Sequence, residues 1–206
     1  EEQRNWEWDH LAMGLDPTDL SIASGRNDWM AMDLSPDSTR IALVSRDNTV
    51  VIKDASTGET VQEIPGPEQD SSQRSVEWDP SGARLLSCSK DQSVVVWDVV
   101  ASATKAFRLG KARTNAVAWS PDGRRFAAGC DDGIVRVCDA TSGQVLMSLA
   151  GHGVERDEWG VLEEYDRSGS VIAVAWSPDG TKIASGSWDR TGRIRNASTG
   201  RCLQTL

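Results

Sequence analysis

Hydrophobic and polar positions alternate along this chain in short runs of about six residues, separated by clusters of Gly, Pro, Ser and Asp. That pattern predicts strands and tight turns rather than helices. Four runs open with a basic residue and then a bulky apolar one: Arg40 to Ser45, Arg84 to Ser89, Arg125 to Cys130 and Lys182 to Ser187. Each is preceded by a proline turn at Pro36, Pro80, Pro121 or Pro178, with Gly82, Gly123 and Gly180 in the place where a Ser-Pro-Asp-Gly turn needs positive φ. Ser38 stands there in the first copy. A polar turn leads from each run into a β-branched stretch (Thr49 to Ile52, Ser93 to Trp97, Ile134 to Val137), whose valine content suits a buried strand. A further turn at Gly58, Ser102, Gly143 or Gly200 precedes a closing strand that ends at Ile64, Leu109, Leu149 or Leu206.

The units are copies of one another. An aspartate follows each turn proline by eleven residues (Asp47, Asp91, Asp132, Asp189), and Asp54, Asp98, Asp139 or Asn196 follows by eighteen. Two fixed offsets kept in four copies define a tandem array, each unit supplying four antiparallel strands and too small to bury its own faces.

The residues Trp97-Asp98, Gly151-His152 and the proline turns, at a period near 41 to 44 residues, resemble the WD-repeat β-propeller family over about residues 29 to 206. The resemblance implies an all-β fold of four-stranded blades at 29–64, 72–109, 114–149 and 171–206, acting as a rigid platform without chemistry of its own. Residues 1–28, with Asn5-Trp6-Glu7-Trp8-Asp9 and Leu20-Ser21-Ile22, read as the third and fourth strands of a further, partial blade. The chain is therefore expected to be an incomplete segment of a larger propeller.

In this family a histidine, a second-strand serine or threonine, the turn aspartate and a third-strand tryptophan are joined by hydrogen bonds within a blade. The expected network positions are His152, Ser187, Asp189, Asp47, Asp91, Asp132 and Trp97, and no copy holds all four members. Lys53, Cys138 and Arg195 occupy the tryptophan place in three blades. A guanidinium on an inner strand needs a partner, and Asp189 is the expected one for Arg195. Trp78, Trp119 and Trp176, with Leu34 in the first copy, are expected core.

Between the third and fourth units the proline spacing lengthens from 41 to 57 residues, and the excess forms an acidic insertion at 154–170. It carries Glu155, Asp157, Glu158, Glu163, Glu164 and Asp166, with Trp159, Leu162 and Tyr165 interleaved. By resemblance such a loop opens on the face most used for partners, where an aromatic anchor among acids suits a basic surface or peptide. The same face is expected to hold the residues just before the turn aspartates (Arg46, Lys90, Asp131, Trp188) and those entering the first strands (Met30, Arg74, Asn115, Ile172). Their chemistry varies within a repetitive frame, which is where a repeat protein encodes partner choice. Candidate partner contacts are Trp188, Trp159, Arg46, Lys90, Asp131, Arg74, Asn115, Glu163 and Glu164.

Charge and composition narrow the function classes. The formal charge of minus 9 argues against general binding to nucleic acid or an anionic membrane. No apolar run approaches a membrane span, and no secretory signal pattern is present. The four cysteines (Cys88, Cys130, Cys138, Cys202) lie in strands without Cys-x-x-Cys spacing, as free thiols of an intracellular protein would. Two histidines make no metal cluster, and no phosphate-cradling loop or Gly-x-Ser-x-Gly turn occurs, so neither a cofactor nor catalysis is expected. The expectation is a scaffold for protein-protein contacts. A sensor or regulatory array fused to an upstream signalling or nucleotide-hydrolysing domain is the alternative.

Overall fold

The computed structural model describes residues 29–67, 73–89, 91–153 and 169–206, with the side chains of Gln73 and Arg74 excepted. The partial blade expected at 1–28, Lys90, the Arg74 side chain and Trp159, Glu163 and Glu164 within the acidic insertion lie outside the described residues.

Every described element is a strand, and the strands form four separate four-stranded antiparallel sheets. The first is β1 (Trp29–Leu34), β2 (Arg40–Ser45), β3 (Thr49–Asp54) and β4 (Thr60–Pro65). The second is β5 (Gln73–Trp78), β6 (Arg84–Ser89), β7 (Ser93–Asp98) and β8 (Ala103–Arg108). The third is β9 (Thr114–Trp119), β10 (Arg125–Cys130), β11 (Val135–Asp139) and β12 (Val145–Leu149). The fourth is β13 (Val171–Trp176), β14 (Lys182–Ser187), β15 (Gly192–Asn196) and β16 (Cys202–Thr205). Each is a meander in chain order, as short turns between neighbouring strands require.

The turn chemistry holds as the sequence implies. Gly82, Gly123 and Gly180 take φ of 64 to 69°, and Ser38 takes 59° in the first sheet. In the turn of the third sheet Asp122 Oδ1 accepts from Ser120 Oγ at 2.5 Å and from the Arg124 N–H at 3.0 Å, and Asp179 repeats this with Ser177 and Thr181. These donors hold Asp179 at about 2 and lower Asp122, so both stay ionised.

The sheets stand side by side, with β1 beside β5, β5 beside β9 and β9 beside β13. No comparable packing joins β13 to β1 among the described residues, so the array is open. The core lies in the seams between sheets. Ala42, Val44, Val50 and Ile52 of the first sheet close over Val76, Trp78, Val95 and Trp97 of the second, and Leu86, Val94 and Phe107 meet Val117, Trp119 and Phe126 at the next seam. Ala127, Val135 and Val137 meet Val171 and Ile183 at the third. A Cβ on Gly129 would come within 2.7 Å of Val171, so that seam requires glycine there.

Leu34 departs from its expected place. It is 49% exposed, together with Met30 and Met32, because this face of the first sheet has no described sheet against it, whereas Trp78 and Trp119 are buried in seams.

We call the face bearing the proline turns the lower face. The opposite, upper face bears the turns of the aspartates at 47, 91, 132 and 189 and the starts of the first strands.

Candidate interaction face

Each first strand carries a bulge at the same place. Pairing skips Met30 between Trp29 and Ala31, Arg74 between Gln73 and Ser75, Asn115 between Thr114 and Ala116, and Ile172 between Val171 and Ala173. A bulge re-aims the extra side chain out of the ladder. The four skipped residues are the strand-entry residues that the repeat offsets single out. Each flanks a cross-strand pair (Trp29 with Ser45, Gln73 with Ser89, Thr114 with Cys130, Val171 with Ser187) whose other side leads to Arg46, Lys90, Asp131 or Trp188. Among the described residues the upper face therefore presents a two-residue position in the first, third and fourth sheets, and the chemistry differs at each.

In the third sheet the two residues meet directly. Asn115 Nδ2 donates to Asp131 Oδ1 at 2.7 Å and to Ser170 Oγ at 3.0 Å. Ser170 Oγ donates to Asp131 Oδ1 at 2.6 Å, and Ser170 O accepts from the Trp188 backbone N–H at 3.0 Å. Ser170, buried at the end of the acidic insertion, thus ties the third sheet's pair to the fourth sheet's turn. In the fourth sheet Trp188 is 65% exposed and Ile172 48% exposed. Arg46 is exposed above the first sheet.

Beneath this face the turn aspartates are held by different partners in each sheet. His152 bonds Asp189 Oδ2 through Nδ1 at 3.0 Å and Ser185 Oγ through Nε2 at 2.8 Å. The serine in this network is Ser185, not Ser187. Ser185 and Ser187, two residues apart, share a face of the strand, and Ser187, nearer the turn, instead accepts from the Asp189 N–H. Burial pushes the His152 pKa down, partly opposed by Asp189, and the bonds from Thr191 and His152 keep Asp189 at about 2 despite its own burial. In the third sheet Arg136 takes over from histidine, reaching Asp132 at 2.5 Å. Asp91 is bonded by Ser93 and lowered further by Arg108, and Asp47 is bonded by Ser45 and Thr49. Trp97 donates Nε1–H to Ser87 Oγ at 2.8 Å, inside a sheet without the histidine.

Arg195 does not pair with Asp189. Its Nη2 donates to Ala150 O at 2.6 Å and its Nη1 to Gly200 O at 3.4 Å, because Asp189 is enclosed by His152, Thr191 and Gly153. Lys53, in the same place of the first sheet, likewise turns back to Gly58 O at 3.0 Å. The repeat offsets single out the strand-entry and turn positions, whereas the replacement partners of the turn aspartates do not follow from them. Arg136, four residues after Asp132, is the signal that could have found one of them.

Among the described residues no group of histidines, cysteines and acids could hold a metal, and no helix is long and apolar enough to cross a membrane. Cys130, Cys138 and Cys202 are free thiols, and burial pushes the Cys138 thiol up to about 12, which makes it inert as a nucleophile.

Four-stranded meanders stacked through their first strands, with a histidine-serine-aspartate bond network in one and a tryptophan-serine bond in another, define blades of a β-propeller. The chain belongs to the WD-repeat family: the model of the WD domain, G-beta repeat, matches residues 58–98 and 159–196, and that of the anaphase-promoting complex subunit 4 WD40 domain matches 106–159. Similar proteins include Actin-interacting protein 1 of Drosophila melanogaster, 30% identical over 164 residues, which are 78% of this chain and 24% of that protein. Protein HIRA of Zea mays is 27% identical over 146 residues, 64% of this chain and 15% of its own length. WD repeat-containing protein 1 of Bos taurus is 30% identical over 92 residues, 45% of this chain and 13% of its own. The chain thus spans less than a quarter of the length of each of these relatives.

Proposed function

We propose that this chain is a non-catalytic scaffold that docks other proteins on its upper face, with Trp188 as the anchor. The observation that carries the reading is a bulged residue set beside a turn residue in the first, third and fourth blades, bonded directly in the third, with chemistry that changes from blade to blade while the frame beneath repeats. A large aromatic held 65% exposed by a backbone bond at its own N–H is the kind of group that dominates protein interfaces. Ile172 extends the apolar contact, and Arg46, Asn115 and Asp131 supply polar contacts that set specificity.

Gly153 and Gly169 flank the acidic segment 154–168, and a Cβ on Gly133 would approach both His152 O and Gly169 O, which puts the two flanks at the Asp132 turn. Its acids favour a partner with a basic surface. One relative is named for interacting with actin, which supports a protein partner as the class without identifying it for this chain.

Affinity capture with the full chain, compared with Trp188→Ala and with deletion of 154–168, tests the reading. Loss of the same captured proteins in both variants, with the circular dichroism of the chain unchanged, is expected. Capture that survives both changes overturns it.

A further inference from the structure

The seams between neighbouring blades repeat one set of three contacts, and the third seam lacks all of them. At the first seam Asp33 Oδ2 accepts from the Trp78 N–H at 2.7 Å, Asp33 O accepts from Trp78 Nε1–H at 3.2 Å, and Arg40 donates to Gly82 O at 2.8 Å. At the second, Glu77 Oε2 accepts from the Trp119 N–H at 2.9 Å, Glu77 O from Trp119 Nε1–H at 3.2 Å, and Arg84 donates to Gly123 O at 2.6 Å. At the third, Ala118 stands in the carboxylate place and Trp176 Nε1 is buried without an acceptor. The Arg125 guanidinium makes no bond to Gly180 and lies 5.1 Å from the Trp176 ring centre, against 4.7 and 4.6 Å for the Arg40-Trp78 and Arg84-Trp119 stacks.

This seam is closed at its upper end by Asn115, Asp131 and Ser170 and open below. Two clefts of about 330 Å³ each border it, one on the inner side against Glu77, Ala118 and Trp176, the other between the proline turns against Arg125.

We propose that the third seam is a binding site for a carboxylate side chain of an acidic peptide segment from a partner, filling the place that Asp33 and Glu77 fill in the first two seams. The chain shows the fitting occupant twice in the same frame, each carboxylate accepting from the backbone N–H of the facing tryptophan while the backbone carbonyl of the same acid accepts from the indole. At the third seam a carboxylate in that place can give one oxygen to the Trp176 backbone N–H and the other to the indole N–H, which has no acceptor, and it meets the Arg125 guanidinium, whose donors make no hydrogen bond among the described residues. A lysine offers no acceptor to either N–H of Trp176 and would face Arg125, so the charge preference is set by the seam itself.

Four acids lie nearby. Asp122 and Asp179 are ionised beside Arg125, which already helps to lower Asp122, so they oppose an anion in the lower cleft; the carboxylate place is in the inner cleft, whose lining holds neither. Glu77 lines the inner cleft, but burial holds its carboxyl up at about 7, so below that pH an incoming carboxylate meets a neutral neighbour. Asp33, at the far end of the same cleft, is engaged by the Trp78 and Leu34 N–H groups. The site is separate from the upper face and does not depend on the scaffold reading.

The test follows the Trp176 indole N–H in ¹H–¹⁵N spectra of the full chain, titrated with acetyl-Ala-Ala-Glu-Ala-Ala-amide and its Gln and Lys counterparts. The Glu peptide is expected to move that signal saturably, with the Gln peptide about tenfold weaker for want of a charge-assisted bond, and the Lys peptide silent. Ala118→Glu supplies the carboxylate from within and abolishes the response, and Trp176→Phe, which keeps the stack but removes the donor, weakens binding seen at neighbouring backbone signals. Absence of a saturable shift, equal binding of the Lys peptide, or undiminished binding by Ala118→Glu overturns the proposal.

Discussion

Ser170 Oγ lies 2.6 Å from Asp131 Oδ1 and links the third blade to the fourth at the root of the acidic insertion. A hydrogen bond to a carboxylate contributes about 1.5–3 kcal/mol, and Asp131 keeps its bond from Asn115 when this one is removed. Ser170→Ala is therefore expected to lower the free energy of unfolding by about 1–2 kcal/mol in urea titrations. Trp188 should stay in position, since its bond is to the Ser170 backbone oxygen, and its emission should be unchanged.

The His152 network predicts an acid-sensitive fourth blade. The folded pKa of His152 is lowered, so folding is favoured with the ring neutral; this stability is present above the ordinary histidine value of 6.5 and is lost as pH falls through the folded value. His152→Gln should be less stable than the wild type at pH 7.5 by about 1–2 kcal/mol, and the gap between their urea midpoints should shrink as pH falls to 5, the opposing contribution of Glu77 being common to both.

Glu77 works in the opposite direction. Its pKa rises from 4.5 to about 7, chiefly through burial in the second seam, with Asp33 adding like charge and the Trp119 N–H opposing both. A raised carboxyl pKa means that ionisation costs more in the folded chain than in the unfolded one, so stability falls as pH climbs from 4.5 to about 7. Glu77→Gln retains an acceptor for Trp119 and removes the charge. The variant should match the wild type near pH 4.5 and exceed it above pH 7 by roughly 1–3 kcal/mol, the shift discounted for the partial exposure of the seam. Equal midpoints for the two proteins at pH 8 would contradict this.

Much of the blade was legible because turn chemistry is local. Proline, aspartate and a residue that tolerates positive φ fix each lower turn, and the offsets from the proline carry the register to the upper face, where Asn115, Asp131, Ile172 and Trp188 could be placed together from spacing alone. The partners of charged side chains were less legible because they depend on what the neighbouring strand leaves open. Arg195 was assigned to the nearest acid in its own repeat, but Asp189 was already satisfied by His152, and the carbonyls of Ala150 and Gly200 were the free acceptors. The contacts between blades were not legible at all. Asp33 and Glu77 precede their first-strand tryptophan positions by one residue, yet their bonds run to the tryptophan of the following blade, 45 and 42 residues away.

Ser38 is the one lower-turn position without glycine, at φ 59° against 64 to 69° in the other copies. A left-handed conformation costs a residue with a Cβ roughly 1 kcal/mol, which glycine avoids at the expense of a more flexible unfolded chain. The Ser38 side chain makes no hydrogen bond among the described residues, so Ser38→Gly removes none and keeps the backbone bond to Ser35 O. A stabilisation of about 0.5–1 kcal/mol in thermal or urea unfolding is expected.

Arg195 stands where Trp97 stands in the second blade, and the fourth blade already holds the other three members of the network, His152, Ser185 and Asp189. Its Nε is buried without a partner, and Arg193 adds like charge beside it. Arg195→Trp would place an indole N–H toward Ser185, as Trp97 reaches Ser87 at 2.8 Å, and would replace a buried cation with apolar surface. The bonds to Ala150 O and Gly200 O are lost in exchange, each worth about 1 kcal/mol where water can replace the donor. Removal of the buried charge and closure of the network outweigh that loss, so a net gain of about 1–2 kcal/mol is expected in urea unfolding. Arg195→Met, which removes the charge without supplying the N–H, separates the two contributions: if it matches Arg195→Trp, burial alone accounts for the gain, and if it falls short, the difference measures the indole bond to Ser185.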